Sequence, residues 1–356
     1  MDDLRALTSF FEADLGEASI DLGWSSCGRY LAVINADSEV TLFDAESNAE
    51  LTRLTSHEEA ALALAWHPKL PLFATSSQAG EVRFWRVEDD LSVSKVSEIR
   101  FKEEKGNDWI ECIKWRPNGK QLAVAVGKSV KLCTVDAEIQ ADFVFPGGTI
   151  GAIAWHSAGS LLGIAGYGGV LIFNASDPKA EPITLKLKGS LLSLTWSPDN
   201  TFIVAGCQDN TVHLWRFRSR KDAEMTGFSY KPLQLTWANK GKRLLTGGTN
   251  ELVLWPFDKQ GPEGRAPETR SFHRQAICAL AVAGNSQAIA SGCRAGEIAI
   301  WKSSQETEPS TWTFLEDRVE HLSWSSGKSS KILAATSRRG LLRIFAVSYT
   351  HIRAHE

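Results

Sequence analysis

The sequence predicts an all-β protein made of eight similar four-stranded sheets stacked radially into a ring. Three observations lead there. A short apolar segment with tryptophan third recurs every 40 to 49 residues, a second aromatic follows each copy at a near-constant interval, and turn-forming residues fall between the two. A period of this length, held along the chain, is the mark of a repeat architecture.

The first landmark reads Leu22-Gly-Trp-Ser-Ser, Leu64-Ala-Trp-His-Pro, Ile113-Lys-Trp-Arg-Pro and Ile153-Ala-Trp-His-Ser, then Leu194-Thr-Trp-Ser-Pro, Leu235-Thr-Trp-Ala-Asn, Leu280-Ala-Val-Ala-Gly and Leu322-Ser-Trp-Ser-Ser. These open copies one to eight. Seven carry tryptophan (Trp24, Trp66, Trp115, Trp155, Trp196, Trp237 and Trp324), and Val282 replaces it in the seventh. The second landmark closes a run of alternating polarity on Phe43, Trp85, Phe173, Trp215, Trp255, Trp301 or Phe345, with Cys133 in the third copy. Alternation of period two, as in Thr211 to Trp215, predicts strands. Cys27-Gly28, Asn118-Gly119, Asp199-Asn200 and Asp209-Asn210 predict hairpin turns. Polar segments such as Glu50–Thr55, Pro182–Leu187 and Ser310–Leu315 supply a fourth strand. A lone sheet of this size leaves both faces wet, whereas radial stacking buries each face on a neighbour and leaves only short edges.

Composition agrees with a globular chain: 356 residues, 43% hydrophobic and 23% charged, with a net charge of −3 that gives no reason to expect nucleic acid. The 13 tryptophans against 4 tyrosines and 2 methionines indicate a recurrent packing role for the indole. The acidic start and the lack of a long apolar run predict neither a secretory leader nor a membrane span. The six cysteines (Cys27, Cys112, Cys133, Cys207, Cys278 and Cys293) have no disulfide-like or metal-like spacing. They read as free thiols filling small apolar sites in a reducing, cytoplasmic compartment.

The repeat resembles the WD-repeat β-propeller family. Copy five is nearest, with Trp196-Ser-Pro-Asp-Asn and then Gln208-Asp-Asn-Thr-Val-His-Leu-Trp215, and the resemblance covers about residues 20 to 347. It implies a β-propeller, of eight blades by the count of copies. Seven is the alternative, the seventh copy being the natural one to have been misread. It further implies that residues 1–17, with the apolar Leu4–Phe11, hold a strand closing the ring on the last copy, that 18–347 form the propeller, and that 348–356 stand outside the repeat. His57 and His273 match the family's structural histidine, while Asp37 and Asp209 match its turn aspartate. No copy has both, so the family's buried His–Ser–Asp–Trp network is expected to be complete nowhere.

Motifs for catalysis, metal binding or cofactors are absent: no P-loop, zinc-protease helix, nucleophile elbow or dinucleotide fingerprint occurs. The run Gly163-Ile-Ala-Gly166-Tyr-Gly-Gly169 lies on a strand and hairpin without a helix to hold phosphate. His67 and His156 start turns on different copies, where Ser197 or Arg116 serves elsewhere, so no metal is expected. The resemblance therefore implies a non-enzymatic scaffold, monomeric on its own, that binds a protein or peptide. A subunit of a permanent complex and a propeller holding a small ligand in its channel are the alternatives. Mapping the copies onto the family's top rim gathers Arg274, Arg294, Arg318, Arg338 and Arg339 on copies seven and eight. Asp14, Glu17, Asp37, Glu58 and Glu59 gather on copies one and two, with Trp109, Tyr167 and Tyr230 between. Arginine and large aromatic residues are the types enriched at interface hot spots. The expected site is thus a rim for an extended peptide, acidic over the arginines and apolar near Trp109 and Tyr167.

Overall fold

The computed structural model describes residues 7–102, 108–258, 261–284, 288–302, 307–327 and 331–347. Copy one folds into strands Ser19–Trp24, Tyr30–Asn35, Glu39–Asp44 and Ala49–Thr55, hydrogen-bonded antiparallel in chain order. Copy two repeats this with Ala61–Trp66, Leu72–Ser77, Glu81–Val87 and Val93–Arg100. Burial explains why these sequences take these positions. Second strands such as Leu72–Ser77, Phe202–Cys207 and Ala288–Cys293 are buried at every residue, because they lie mid-sheet with a neighbouring copy on each face. Fourth strands such as Ala49–Thr55 lie on the outside and are mostly part-exposed or exposed. The apolar clusters straddle adjacent copies, one uniting Leu72, Phe84, Trp115 and Val124 of copies two and three. The core is therefore a series of interfaces between sheets, each large buried side chain contributing about 1.5–3 kcal/mol.

The strand Ser9–Asp14 pairs antiparallel with Leu341–Ala346 and completes the four-stranded sheet of copy eight. It lies later than the Leu4–Phe11 segment the sequence suggested; residues 1–6 and the tail 348–356 fall outside the described residues.

The β-propeller has seven separate hydrogen-bonded sheets, six of four strands and one of six; the expected eight is corrected to seven, the alternative the sequence left open. The difference is not in copy seven, whose strands Ile277–Val282, Ala288–Cys293, Glu297–Lys302 and Thr311–Phe314 form a complete sheet. It lies at Ile183–Trp196, a single 14-residue strand. Its first half pairs with Gly169–Ile172 of copy four and its second half with Ile203–Cys207 of copy five. Extended chain through Lys188 and Gly189 takes the place of a connecting loop, so copies four and five share one sheet.

The recurrent tryptophan has one repeated task. The Trp66 indole N–H donates to Gly23 O at 2.8 Å, Trp115 to Ala65 O at 3.0 Å and Trp155 to Lys114 O at 3.0 Å. Trp196 donates to Ala154 O at 3.2 Å, and Trp237 to Thr195 Oγ1 at 3.1 Å. Trp324 donates to Ala281 O at 3.3 Å, and Trp24 closes the circuit on Ser323 O at 3.1 Å. Each acceptor belongs to the residue just before the landmark position of the preceding copy. The belt has one gap, between copies seven and six, where Val282 has no side-chain N–H to offer.

A second set of indoles works within a copy. Trp85 donates to Thr75 Oγ1 at 2.9 Å, and the same oxygen meets His57 Nε2 at 2.9 Å, with His57 Nδ1 at 3.4 Å from Glu81 Oε2. In copy seven, Trp301 donates to Ser291 Oγ at 2.8 Å, which meets His273 Nε2 at 2.7 Å, while Nδ1 faces Glu297 Oε2 at 3.7 Å. The expectation of no complete network is corrected in copy two, where Glu81, just after the turn glycine Gly80, takes the acid's place. In copy seven Glu297 holds the same position after Gly296, but His273 Nδ1 is left without a hydrogen bond. Asp37 and Asp209 instead lie exposed in their turns, Asp209 accepting from Thr211 Oγ1 at 2.7 Å.

Two outcomes follow from these networks. Trp196→Phe removes one donor of the belt while the Ala154 carbonyl keeps its place in the strand ladder, so urea denaturation should show a loss of about 0.5–1.5 kcal/mol; an unchanged midpoint would remove the belt as a stabilising element. Burial pushes His273 down to about 4, the nearby Glu297 opposing only in part. Since an unfolded histidine titrates near ~6.5, the unfolded chain alone takes up this proton between pH 6.5 and 4. Stability is then intact above that window and falls with pH inside it, by up to about 1.4 kcal/mol per pH unit from this group. His57 is shifted the same way, by burial. Denaturation of His273→Gln should show a shallower decline from pH 7 to pH 5, about two units apart, and an identical slope would contradict the assignment.

Candidate protein-interaction rim

The rim is built from the turns between second and third strands and the loops that enter first strands. These two kinds of segment touch across neighbouring copies, and glycine makes the closest approaches possible. At Gly340 (φ 83°) a Cβ would stand 2.5 Å from Glu17 O, and at Gly296 (φ 89°) one would stand 2.9 Å from Asp317 O. Only a residue without a side chain fits such contacts and tolerates positive φ.

On this frame the structure brings several of the expected residues together. The Arg294 guanidinium lies over the Tyr230 ring at 4.4 Å from its centroid, joining copies six and seven. The Arg338 N–H donates to Arg318 O at 2.9 Å, setting the two side by side. Arg339 reaches Asp317 at 3.4 Å with its side chain 81% exposed, and Arg318 reaches Glu320 at 3.2 Å. Arg338 is exposed, and no carboxylate partner is recorded for it among the described residues. Exposed ion pairs contribute only about 0–1 kcal/mol, so Arg339 is readily redirected to another acid. Tyr230, Arg294, Arg318, Arg338 and Arg339 thus lie along one arc.

Arg274 borders this arc but is already paired, and Trp109 and Tyr167 stand on other copies. Arg274 is engaged with Glu297, donating through both its backbone N–H and its guanidinium. Burial alone would raise the Glu297 carboxyl, but these bonds outweigh it and hold the group below the ordinary range. Trp109 sits half-exposed in the segment entering copy three, and Tyr167 is 56% exposed at the tip of the copy-four hairpin. They belong to separate loops.

His67 uses both ring nitrogens: Nδ1 accepts from the N–H groups of Lys69 and Leu70, and Nε2 meets Gly119 O at 2.9 Å. His156 Nδ1 accepts from Ala158 N. His273, Cys293 and Glu297 offer three buried potential ligand atoms within 4.8 Å of one another. The indole–hydroxyl–imidazole relay of copy seven already employs the first and last of these. Sequence reasoning missed Glu81 and Glu297, although their common place after a turn glycine, each in a copy with the structural histidine, was the available signal. All six cysteines are free, and burial pushes the Cys133 thiol up to about 12 and Cys278 up to about 11. Among the described residues no helix is long and apolar enough to cross a membrane.

Comparison with known proteins agrees with this architecture. The family model described as WD domain, G-beta repeat matches residues 182–216, and that of the anaphase-promoting complex subunit 4 WD40 domain matches residues 10–69 and 64–140. The chain is 30% identical over 175 residues to cell division cycle 20.1, cofactor of APC complex, from Arabidopsis thaliana, a match covering 48% of this chain and 37% of that protein. It is 25% identical over 184 residues to human WD repeat and HMG-box DNA-binding protein 1, covering 48% of this chain and 16% of the relative. The matches thus span well under half the length of either relative. In three dimensions it resembles the computationally designed Ika8 protein, with a TM-score of 0.76 and 14% identity over 96% of this chain and 100% of the other. Repeat pattern, fold and family matches coincide, and the chain belongs to the WD-repeat β-propeller family.

Proposed function

We propose that this chain is a non-enzymatic scaffold that binds a protein or peptide on the rim carrying Tyr230, Arg294, Arg318, Arg338 and Arg339. One observation carries the reading: a run of arginines, with Arg338 and Arg339 exposed and Arg318 half-buried beside them, continuous with an aromatic ring already in cation–π contact with Arg294. Such a surface suits an acidic extended segment, since forked guanidinium donors bind carboxylates in pairs. A protein is favoured over DNA because the net charge is −3 and the adjoining sector of the rim, which meets the Gly340 turn at Glu17, carries Asp14, Glu17, Asp37, Glu58 and Glu59. The DNA-binding name of one relative describes that longer protein. Free thiols suit a reducing compartment such as the cytoplasm.

For the rim, the decisive variant is Arg338→Glu combined with Arg339→Glu. Affinity for a partner recovered from the source cell should fall at least about tenfold, or ~1.4 kcal/mol, with the melting temperature nearly unchanged. Unchanged binding would exclude the arginines from the site.

A further inference from the structure

The wedge between copies three and four is a groove of about 740 Å³, floored by Phe145, Leu171 and Leu187 and edged by Tyr167, Lys186 and Lys188. Its lip lacks a side chain that four other copies carry. The first position after the hairpin turn is Glu39 in copy one, Glu81 in copy two, Glu251 in copy six and Glu297 in copy seven, but Gly169 in copy four. Each glutamate has an internal partner: Arg53, Arg83, the Ser271 hydroxyl and Arg274, respectively. The matching wedge between copies six and seven, which retains Glu297, has 480 Å³ and lies beside Phe272, the counterpart of Phe145.

Losing the acid also strands its partner. Residues across the strand pair are Glu81 and Arg100 in copy two, joined by an ion pair, and Gly169 and Lys186 in copy four. Lys186 and Lys188 are exposed, and no carboxylate partner is recorded for either among the described residues. The same lip carries Tyr167, and Val144 is 65% exposed on the adjoining strand. Nor can the chain refill the gap, because a Cβ at Gly169 (φ 123°) would stand 2.0 Å from Leu185 O.

We infer that this groove binds a short peptide segment of a partner protein through an aromatic or large aliphatic side chain seated on Phe145, Leu171 and Leu187, with a neighbouring aspartate or glutamate paired to Lys186 and Lys188. The ligand's carboxylate thereby restores the acid that four other copies supply themselves. The inference builds on the scaffold reading and assigns the partner a second contact, away from the arginine arc. The outer strand Ile183–Trp196 pairs only with Leu161–Asn174 over its copy-four half, so its free edge can accept main-chain hydrogen bonds from an extended peptide.

The test is selection of a random peptide library on the full chain, followed by fluorescence anisotropy with the enriched peptides. Enriched sequences should place an aromatic or large aliphatic residue beside Asp or Glu. They should bind Lys186→Glu/Lys188→Glu at least about tenfold more weakly, bind Tyr167→Ala more weakly, and bind Arg338→Glu/Arg339→Glu as they bind the parent. Peptides with Lys in place of the acids should regain affinity for the Lys186→Glu/Lys188→Glu chain, an exchange that a merely unfolded variant cannot show. No enrichment, enrichment of sequences without acids, or undiminished binding to Lys186→Glu/Lys188→Glu overturns the inference. Peptides lost only with the arginine pair would overturn it while supporting the rim; a cellular partner lost only with the lysine pair would do the reverse.

Discussion

The indole-to-backbone hydrogen bond between successive copies is the contact on which the ring's geometry depends. Apolar packing between sheets supplies more energy but little direction, since Leu, Val and Ile side chains slide past one another at small cost. An indole N–H must reach one acceptor, and here that acceptor sits at a fixed place on the neighbouring first strand. Made seven times, six to a main-chain oxygen and once to the Thr195 hydroxyl, the indole bond ties each of these copies to the one before it. It also accounts for a composition rich in tryptophan and poor in tyrosine, because a phenol at this position would present its hydrogen on a different vector.

The inner parts of the molecule are uniform so that the rim can vary. Second strands are buried throughout and admit only small changes, whereas the residue after each hairpin turn meets solvent on one side and the neighbouring copy on the other. That single position holds an acid in a buried relay at Glu81 and Glu297, and an open groove at Gly169. The scaffold thus carries different surface chemistry on nearly identical sheets, which is how a repeat fold acquires specificity without changing its core.

Much of this was legible in the chain. The landmark tryptophans, the closing aromatics and the turn residues marked every copy, because strand alternation and turn chemistry are local properties. The joining of copies four and five was not legible: Lys188-Gly189 is compatible with a loop or with extended chain, and only the pairing of Ile183–Trp196 on both sides decides. The acids of the two relays were missed for a related reason. A glutamate one place beyond the turn delivers its carboxylate to the imidazole that an aspartate within the turn would serve, and a search by residue type sees only the latter. The arginine arc follows from ring order, which brings the loops of consecutive copies together. Its separation from Trp109 and Tyr167 depends on where each loop tip settles.

The closing sheet has a mechanical consequence. Ser9 pairs with Phe345 and Asp14 with Leu341, so the chain enters and leaves the ring side by side at one end of an antiparallel pair. Tension applied through segments flanking these strands would load their hydrogen bonds one after another, as a zipper is opened, and not all at once in shear. The ring is therefore compliant toward pulling at this seam. Once the strand Ser9–Asp14 peels away, it bares the edge of Leu341–Ala346, leaving an opened ring with an adhesive seam.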